Sequence, residues 1–295
     1  MSDDGKSAPE GDQRELLKEN ILEDHTRLGP NDTFKFGCHP GISCFNTCCS
    51  DVNIFLSPYD VLRLKQRLGI SSTEFLEKYT LLPVQKDMTV PVVLLKMQEN
   101  EKRSCHFVTD QGCGVYTDRP WPCRMYPVGL ASSRDTEDGW RGDRFYFLLK
   151  EDTCFGHQEA REWTVQEWMD DQEVEAYEEW GEAYKELSLH KFFEDGLILP
   201  PEKMEMFFIS TYDLDKFRQF VFDSSLLERF DVDEDFVDRM KVDDETLLRF
   251  GFLWVRFALF GEPTMKMRPE AAQAVQEQMD KKKNTDPERS EKEAP

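Results

Sequence analysis

The chain has 295 residues, with 37 basic and 59 acidic side chains and a formal net charge of −22. Hydrophobic residues make up 39% of this acidic protein, enough for a buried core, so wholesale disorder is excluded. Nucleic-acid binding needs clustered Lys and Arg to displace counterions, and the charge argues against such a partner. No apolar stretch reaches the roughly 18 to 20 residues of a membrane span, and the first residues lack a signal peptide's apolar core. We therefore expect a cytoplasmic protein without a membrane span.

Charge and cysteines are unevenly distributed along the chain. Residues 31–155 carry 15 basic and 16 acidic side chains, whereas residues 156–295 carry 18 and 35. The near-neutral segment holds all eight cysteines, which are Cys38, Cys44, Cys48, Cys49, Cys105, Cys113, Cys123 and Cys154. Because cytosolic thiols are kept reduced, this concentration favours metal ligation over disulfide bonds. The composition predicts a cysteine-built metal-binding module followed by an acidic one.

The first predicted elements follow the first cysteines. Residues 52–56 predict a short strand, and Ser57-Pro58 then supplies an N-cap with Pro at the first helical position. The helix that begins there should run through Leu68 and end at Gly69.

The next elements are a helix and two strands. Ser71 precedes Glu74 by three residues, which resembles a capping box and predicts a helix to about Tyr79. Residues 90–95 predict an edge strand because they contain a proline, and residues 144–149 predict a further strand.

The C-terminal half changes to a helical period. Thr164–Glu167 forms a second capping box, and aromatic and leucine residues then recur at three- and four-residue steps. Residues 206–209 predict a strand, residues 213–222 a helix and residues 247–260 a buried helix.

The cysteines form two sets in the sequence. The first set, Cys38-x5-Cys44-x3-Cys48-Cys49, lies in a segment with turn-forming Pro and Gly. The second set comprises Cys105-x7-Cys113-x9-Cys123 and the later Cys154. Thiolates bind zinc tetrahedrally at about 2.3 Å, and four of them equally suit an iron–sulfur cluster. Neighbouring side chains in extended backbone point in opposite directions, so Cys48 and Cys49 would more easily serve two centres than one.

Other side chains near the cysteines allow alternatives. His39, His106 and His157 lie beside cysteines, so a mixed Cys/His zinc site is one alternative to four thiolates. Arg119 and Arg124 allow two interpretations: donors to a cluster or anionic ligand, or structural residues that fix a turn and pair with an acidic neighbour.

These motifs carry a family resemblance. Cys48-Cys49 with the helix start after it, Cys113-Gly114-Val115-Tyr116, Cys123-Arg124-Met125-Tyr126-Pro127 and Cys154-Phe155-Gly156 resemble the YkgJ-type cysteine-cluster family. This zinc- or iron-chelating domain is named for a CxxCxxCC motif, and the resemblance covers about residues 34–187. The first gaps here are five and three residues rather than two. The resemblance implies a bound iron–sulfur cluster or zinc, and some relatives are described as flagellin lysine methylases.

These observations lead to three functional hypotheses. We expect a metal-binding protein with one or two Cys-ligated centres, most simply 4Fe-4S clusters or else zinc, in redox, metal handling or protein maturation. The alternatives are a lysine N-methylase of the flagellin type, acting on a protein substrate, and a zinc-stabilised module that binds a protein partner. No residue is assigned to catalysis.

The predicted fold class is α+β. A small cysteine-rich module with short strands and helices should pack against a mainly helical acidic C-terminal region. The predicted domains are a mostly flexible segment 1–30, a cysteine-cluster domain 31–190, a mainly helical region 191–279 and a disordered tail 280–295.

Overall fold

The computed structural model describes residues 26–83, 89–132, 144–274 and 276–277. These residues form helices and short two-stranded sheets, which agrees with the predicted α+β class. They fall into two compact units. The cysteine unit comprises residues 26–54, 97–132 and 144–178, and the helical unit comprises residues 55–83, 89–96, 179–274 and 276–277.

The predicted domain boundaries stay predictions. The segments expected to be flexible fall mainly on residues 1–25 and 280–295, which lie outside the described residues. Residues 55–96, which the prediction placed in the cysteine-cluster domain, lie in the helical unit. None of the described helices is both long enough and apolar enough to cross a membrane.

All strands are short and pair in antiparallel fashion. In chain order they are β1 (Thr33–Lys35), β2 (Thr80–Leu81), β3 (Leu94–Leu95), β4 (Val108–Thr109), β5 (Gly112–Cys113), β6 (Val128–Ser132), β7 (Arg144–Leu148) and β8 (Glu162–Thr164). The pairs are β1–β8, β2–β3, β4–β5 and β6–β7. In the first of them Phe34 lies opposite Trp163, so strands from the two ends of the cysteine unit are joined.

Helices make up most of the ordered structure after residue 164. In chain order they are α1 (Pro58–Leu68), α2 (Ser72–Tyr79), α3 (Trp121–Met125), α4 (Val165–Asp171), α5 (Glu175–Ser188), α6 (Lys191–Glu194), α7 (Pro201–Thr211), α8 (Leu214–Asp223), α9 (Leu226–Arg229), α10 (Glu234–Val242) and α11 (Asp244–Phe260). Short 3-10 helices lie at Thr47–Cys49, Tyr116–Asp118 and Phe155–Gln158.

The helix caps confirm the sequence prediction in detail. Ser57 and Asp60 form a reciprocal capping box at the start of α1, and Gly69 ends that helix with φ 66°. Thr164 and Glu167 form the second capping box at the start of α4. A side-chain acceptor at the N-cap satisfies amide groups that the helix leaves free, so these ends are encoded locally.

Two predicted strands are wrong. Residues 52–56 form no strand, and only one isolated bridge, from Phe55 to Leu94, involves them. Residues 206–209 lie in the middle of α7. A short apolar run carries no period of its own, so a buried helix segment can be mistaken for a strand.

Aromatic side chains form the core of the cysteine unit. Trp163 and Trp168 pack edge to face with ring centroids 5.3 Å apart, and Phe36 packs against Trp168 at 5.4 Å. The indole N–H of Trp163 donates to the Phe36 carbonyl (3.0 Å), and that of Trp168 donates to the Met125 carbonyl (3.1 Å). These contacts hold the backbone two residues before Cys38 and two residues after Cys123.

The helical unit combines close helix packing with a buried polar network. Lys65 is 8% exposed and pairs with Asp244 (2.8 Å) and Asp215 (3.3 Å). The Ser72 hydroxyl lies 2.8 Å from carboxylate oxygens of both Asp213 and Asp215. Because each buried charge has partners, the network joins α1, α2, α8 and α11 without leaving an uncompensated ion.

Candidate metal centre

The loop after β1 carries the first four cysteines on a series of tight turns. The Ile42 N–H donates to the His39 carbonyl (3.1 Å), and the Thr47 N–H donates to the Cys44 carbonyl (2.9 Å). Asn46 adopts the left-handed conformation (φ 69°) that starts the 3-10 helix Thr47–Cys49. Asn tolerates this conformation better than most residues, so the sequence favours the sharp reversal. All eight cysteines are free thiols.

Cys48 and Cys49 lie together rather than on opposite sides. They belong to the 3-10 helix, not to extended backbone, so the expectation that their side chains point in opposite directions is wrong, whereas the expectation of two centres stays a prediction. The Cys49 thiol donates a hydrogen bond to Cys48, which lowers the pKa of Cys48 and raises the pKa of Cys49. The adjacent pair therefore brings two sulfurs into direct contact.

Cys38, Cys44, Cys48 and Cys154 form the first set of neighbouring thiols, named here the Cys154 set. The pKa of Cys38 is raised to about 11, first by partial burial of its sulfur and then by the charges of Cys48, Cys44 and Cys154. The Phe155 N–H donates to Cys44 Sγ at 3.2 Å. Residues 110 positions apart in the sequence, Cys44 and Cys154, are thus brought to one place by the fold.

Cys49, Cys105, Cys113 and Cys123 form the second set, named here the Cys105 set. The pKa of Cys49 is raised by its hydrogen bond to Cys48 and by burial, and then by charges that include those of Cys105 and Cys123. Burial raises the pKa of Cys105, the Phe107 N–H lowers it, and the charge of Cys113 raises it. That N–H lies 3.4 Å from Cys105 Sγ.

Backbone hydrogen bonds hold the Cys105 set independently of the sulfurs. The Cys105 N–H donates to the Cys49 carbonyl at 2.7 Å. In the β4–β5 hairpin Val108 pairs with Cys113, so the hairpin returns the chain toward Cys105. The amide of Asn46 donates to the Thr109 carbonyl (2.9 Å), which ties the first cysteine loop to this hairpin.

Arg124 is buried at the end of the second signature and bonds mainly to backbone carbonyls. Its side chain is 2% exposed and donates to the carbonyls of Arg119 (3.0 Å), Gln172 (2.7 Å) and Thr117. It also lies over the ring of Tyr177, 4.3 Å from its centroid. Its nearest carboxylate contact is to the exposed Glu173 at 3.8 Å. Arg124 is therefore a structural residue, but carbonyl oxygens hold it more than an acidic neighbour does.

Arg119 faces the Cys105 set. Its guanidinium stacks over Tyr116 at 3.8 Å and donates to the Tyr116 carbonyl and to Gln172. Burial lowers the pKa of Arg119, whereas the nearby Cys123 and Cys113 are among the groups that raise it. Burial raises the pKa of Cys113, and the positive charge of Arg119 offsets part of that rise by stabilising the thiolate, the form that binds metal.

Two of the three histidines next to cysteines, His39 and His157, have other partners. His39 Nε2 lies 3.3 Å from the Glu159 carboxylate, and His39 Nδ1 accepts from the Gly41 N–H. His157 Nε2 lies 3.0 Å from the Leu149 carbonyl, and its ring packs edge to face against Phe36. These contacts support a structural role for His39 and His157.

Tyr126 is a residue that sequence reasoning quoted but gave no role. Burial raises the pKa of its hydroxyl, and the neighbouring Cys154 thiol raises it further. That hydroxyl is buried and has no hydrogen-bond partner of normal geometry among the described residues. The hydroxyl thus lies against the Cys154 side chain, so a group bound to that sulfur would lie beside it. The only signal in the sequence was its place three residues after Cys123.

The donor set suits a soft or borderline metal. Thiolates are the ligands of zinc and of iron–sulfur clusters, and the eight free thiols supply enough sulfur for either. Among the described residues, no group of three or more His, Cys, Asp or Glu side chains is arranged to hold a metal ion. The fit therefore rests on donor chemistry, on the two sets of neighbouring thiols and on the Tyr126 hydroxyl that is buried beside Cys154.

Comparison with known families identifies the segment that carries the cysteines. Residues 37–173 match the model of a family, CxxCxxCC, described as "Putative zinc- or iron-chelating domain". These residues, named here the CxxCxxCC segment, are similar to that family. The match confirms the predicted resemblance and supports metal binding, and the CxxCxxCC segment includes all eight cysteines. A search of curated proteins found no match, and neither did a search of solved structures.

Proposed function

We propose that the CxxCxxCC segment binds iron–sulfur clusters of the 4Fe-4S type through its eight cysteines. The observation that carries the proposal is that eight free thiols, spread over 117 residues of sequence from Cys38 to Cys154, lie within one unit and form the Cys154 set and the Cys105 set. A core of apolar contacts gives no reason to gather thiols at partly exposed positions. Thiolate ligation of a metal group explains why thiols are gathered at such positions.

Several groups around the thiols suit an iron–sulfur cluster. Hydrogen bonds to sulfur, local charge and solvent exposure set the properties of such clusters. The N–H groups of Phe155 and Phe107 lie 3.2 and 3.4 Å from Cys44 Sγ and Cys105 Sγ. Arg119 places a positive charge near Cys113 and Cys123. These groups would orient the thiolates and offset their negative charge.

The cellular role that follows is redox, metal handling or a step in protein maturation. A bound iron–sulfur cluster supplies one-electron transfer. The chain itself would orient the thiolates through the backbone N–H groups of Phe107 and Phe155, and Arg119 would offset part of their negative charge near Cys113 and Cys123. The alternatives of a lysine methylase and of a zinc-stabilised interaction module stay predictions from resemblance and composition.

Metal analysis of the full chain tests the proposal. We expect protein purified without oxygen to contain iron and acid-labile sulfide in equal amounts, with a broad visible absorption that bleaches on reduction. A second sample, exposed to air and chelator, should lose the colour and the sulfide together. Stoichiometric zinc without sulfide would replace the iron–sulfur proposal by a zinc site. A protein with neither metal would refute thiolate ligation altogether.

A further inference from the structure

We propose that the eight cysteines form two separate four-thiolate centres: Cys38, Cys44, Cys48 and Cys154 hold one, and Cys49, Cys105, Cys113 and Cys123 hold the other. This inference rests on the proposed function, because it assigns ligands to metal groups that the proposed function requires. It adds the number of centres and the partners of each sulfur. The sequence spacing alone leaves both open, since the whole Cys105 set lies between Cys48 and Cys154 of the other set.

Close backbone packing unites the Cys154 set. The Gly37 N–H, next to Cys38, donates to the Gly156 carbonyl at 3.0 Å. A Cβ added to Gly156 would lie 2.8 Å from the Gly37 carbonyl and 2.6 Å from the ring of Phe36. Glycine is therefore required for this approach, which brings Cys154 to the loop that carries Cys38. The contact of the Phe155 N–H with Cys44 Sγ (3.2 Å) closes the same set from the other side.

A different backbone pairing unites the Cys105 set. Cys105 bonds to the carbonyl of Cys49 at 2.7 Å, and Ser104 forms a bridge with Ser50 directly after it. The Val108 N–H donates to the Cys105 carbonyl (3.3 Å), so Cys105 leads directly into the hairpin that ends at Cys113. Cys49 is thus joined to the second set by main-chain contacts, which do not depend on the state of any thiol.

The 3-10 helix Thr47–Cys49 separates the two sets. With three residues per turn, successive side chains point about 120° apart. Cys48 and Cys49 touch, but their further thiol neighbours differ: those of Cys49 include Cys105 and Cys123, whereas Cys48 is a neighbour of Cys38. The surroundings differ too, because Cys154 has Tyr126 beside it and Cys123 has Arg119. The adjacent pair is the point at which two centres meet.

Serine substitutions within and across the sets test this partition. Cys38 and Cys123 are exposed, so replacing either sulfur by oxygen opens no cavity in the core. Cys38→Ser and Cys123→Ser should each retain about half of the wild-type metal. The double variant C38S/C154S, within one set, should retain the same half, whereas C38S/C123S, across the sets, should retain almost none. Asp51→Asn is the matched control, because Asp51 is an exposed residue with φ 52°, which Asn tolerates, and should retain all the metal.

The outcomes separate this inference from the proposed function. A wild-type protein without metal would refute the proposed function itself. Metal-loaded wild-type protein that loses all of its metal in each single variant would show one shared centre and overturn the partition. Equal losses of metal in C38S/C154S and C38S/C123S would also overturn the partition. Far-UV circular dichroism checks folding, and if a variant does not fold, the wild-type stoichiometry decides: two centres per chain support the partition and one overturns it.

Discussion

Replacing Arg124 with methionine should lower the free energy of unfolding by at least about 3 kcal/mol. The side chain is 2% exposed and satisfies three carbonyl oxygens, those of Arg119, Gln172 and Thr117. Each buried acceptor left without a partner costs about 1–3 kcal/mol. Methionine retains the apolar stem but donates no hydrogen bond, so the loss falls on these acceptors and on the contact with the Tyr177 ring. Urea denaturation followed by tryptophan fluorescence, at equal metal loading, measures it.

Arg161 provides the matched control for Arg124. Its guanidinium lies 3.5 Å from the centroid of the Trp163 ring, closer than Arg124 lies to Tyr177. Its side chain is 64% exposed, however, so water replaces its hydrogen bonds when it is removed. Arg161→Met should therefore cost no more than about 1 kcal/mol. Equal losses in the two variants would show that ring stacking, rather than the buried carbonyls, accounts for the stability.

Replacing Gly251 with alanine should destabilise the helical unit by about 2–3 kcal/mol, the upper part of the range for overpacked cores. A Cβ at this position in α11 would lie 2.0 Å from the carbonyl oxygen of Ser210 in α7. The obstacle is backbone, so the two helices must move apart. An alanine in a helix interior normally stabilises by about 1 kcal/mol relative to glycine, and here the sign should reverse. Thermal unfolding followed at 222 nm (about the helical minimum) measures the change.

Gly181 is the control that measures the effect of glycine-to-alanine substitution on helix propensity without a steric clash. It also lies inside a helix, α5, but an added Cβ would meet nothing within 4 Å. Gly181→Ala should stabilise by about 0.5–1 kcal/mol, because only the propensity term remains. If both alanine variants stabilise the protein, the close contact between α7 and α11 is not as described.

Local signals in the sequence predicted the helix ends well. The Ser57-Pro58 start and the Gly69 end of α1 depend on the few residues that cap the helix, so they can be inferred without knowledge of the fold. The error over residues 206–209 has the opposite cause. Met206-Phe207-Phe208-Ile209 is an apolar run without a period of its own, and its helical conformation belongs to the longer helix α7.

The candidate site was predictable in composition but not in arrangement. Cysteine content and the second signature identified the donors, since thiolate chemistry is a property of the residue type. The neighbours of each sulfur depend on long-range pairing, such as the β1–β8 sheet that joins the two ends of the cysteine unit. The opposite directions expected for Cys48 and Cys49 assumed extended backbone, whereas the chain turns at Asn46 into a 3-10 helix. The role of Arg124 required its carbonyl partners to be known.

Native mass spectrometry of the full chain, purified without oxygen, tests the central claim most directly. The account predicts a species heavier than the 34.6 kDa polypeptide by the mass of two iron–sulfur clusters, which acid denaturation returns to the polypeptide mass. Alkylation after denaturation should then label all eight cysteines, because they are free thiols. A native species at the polypeptide mass, with the thiols already reactive before denaturation, would contradict the claim that these cysteines hold metal.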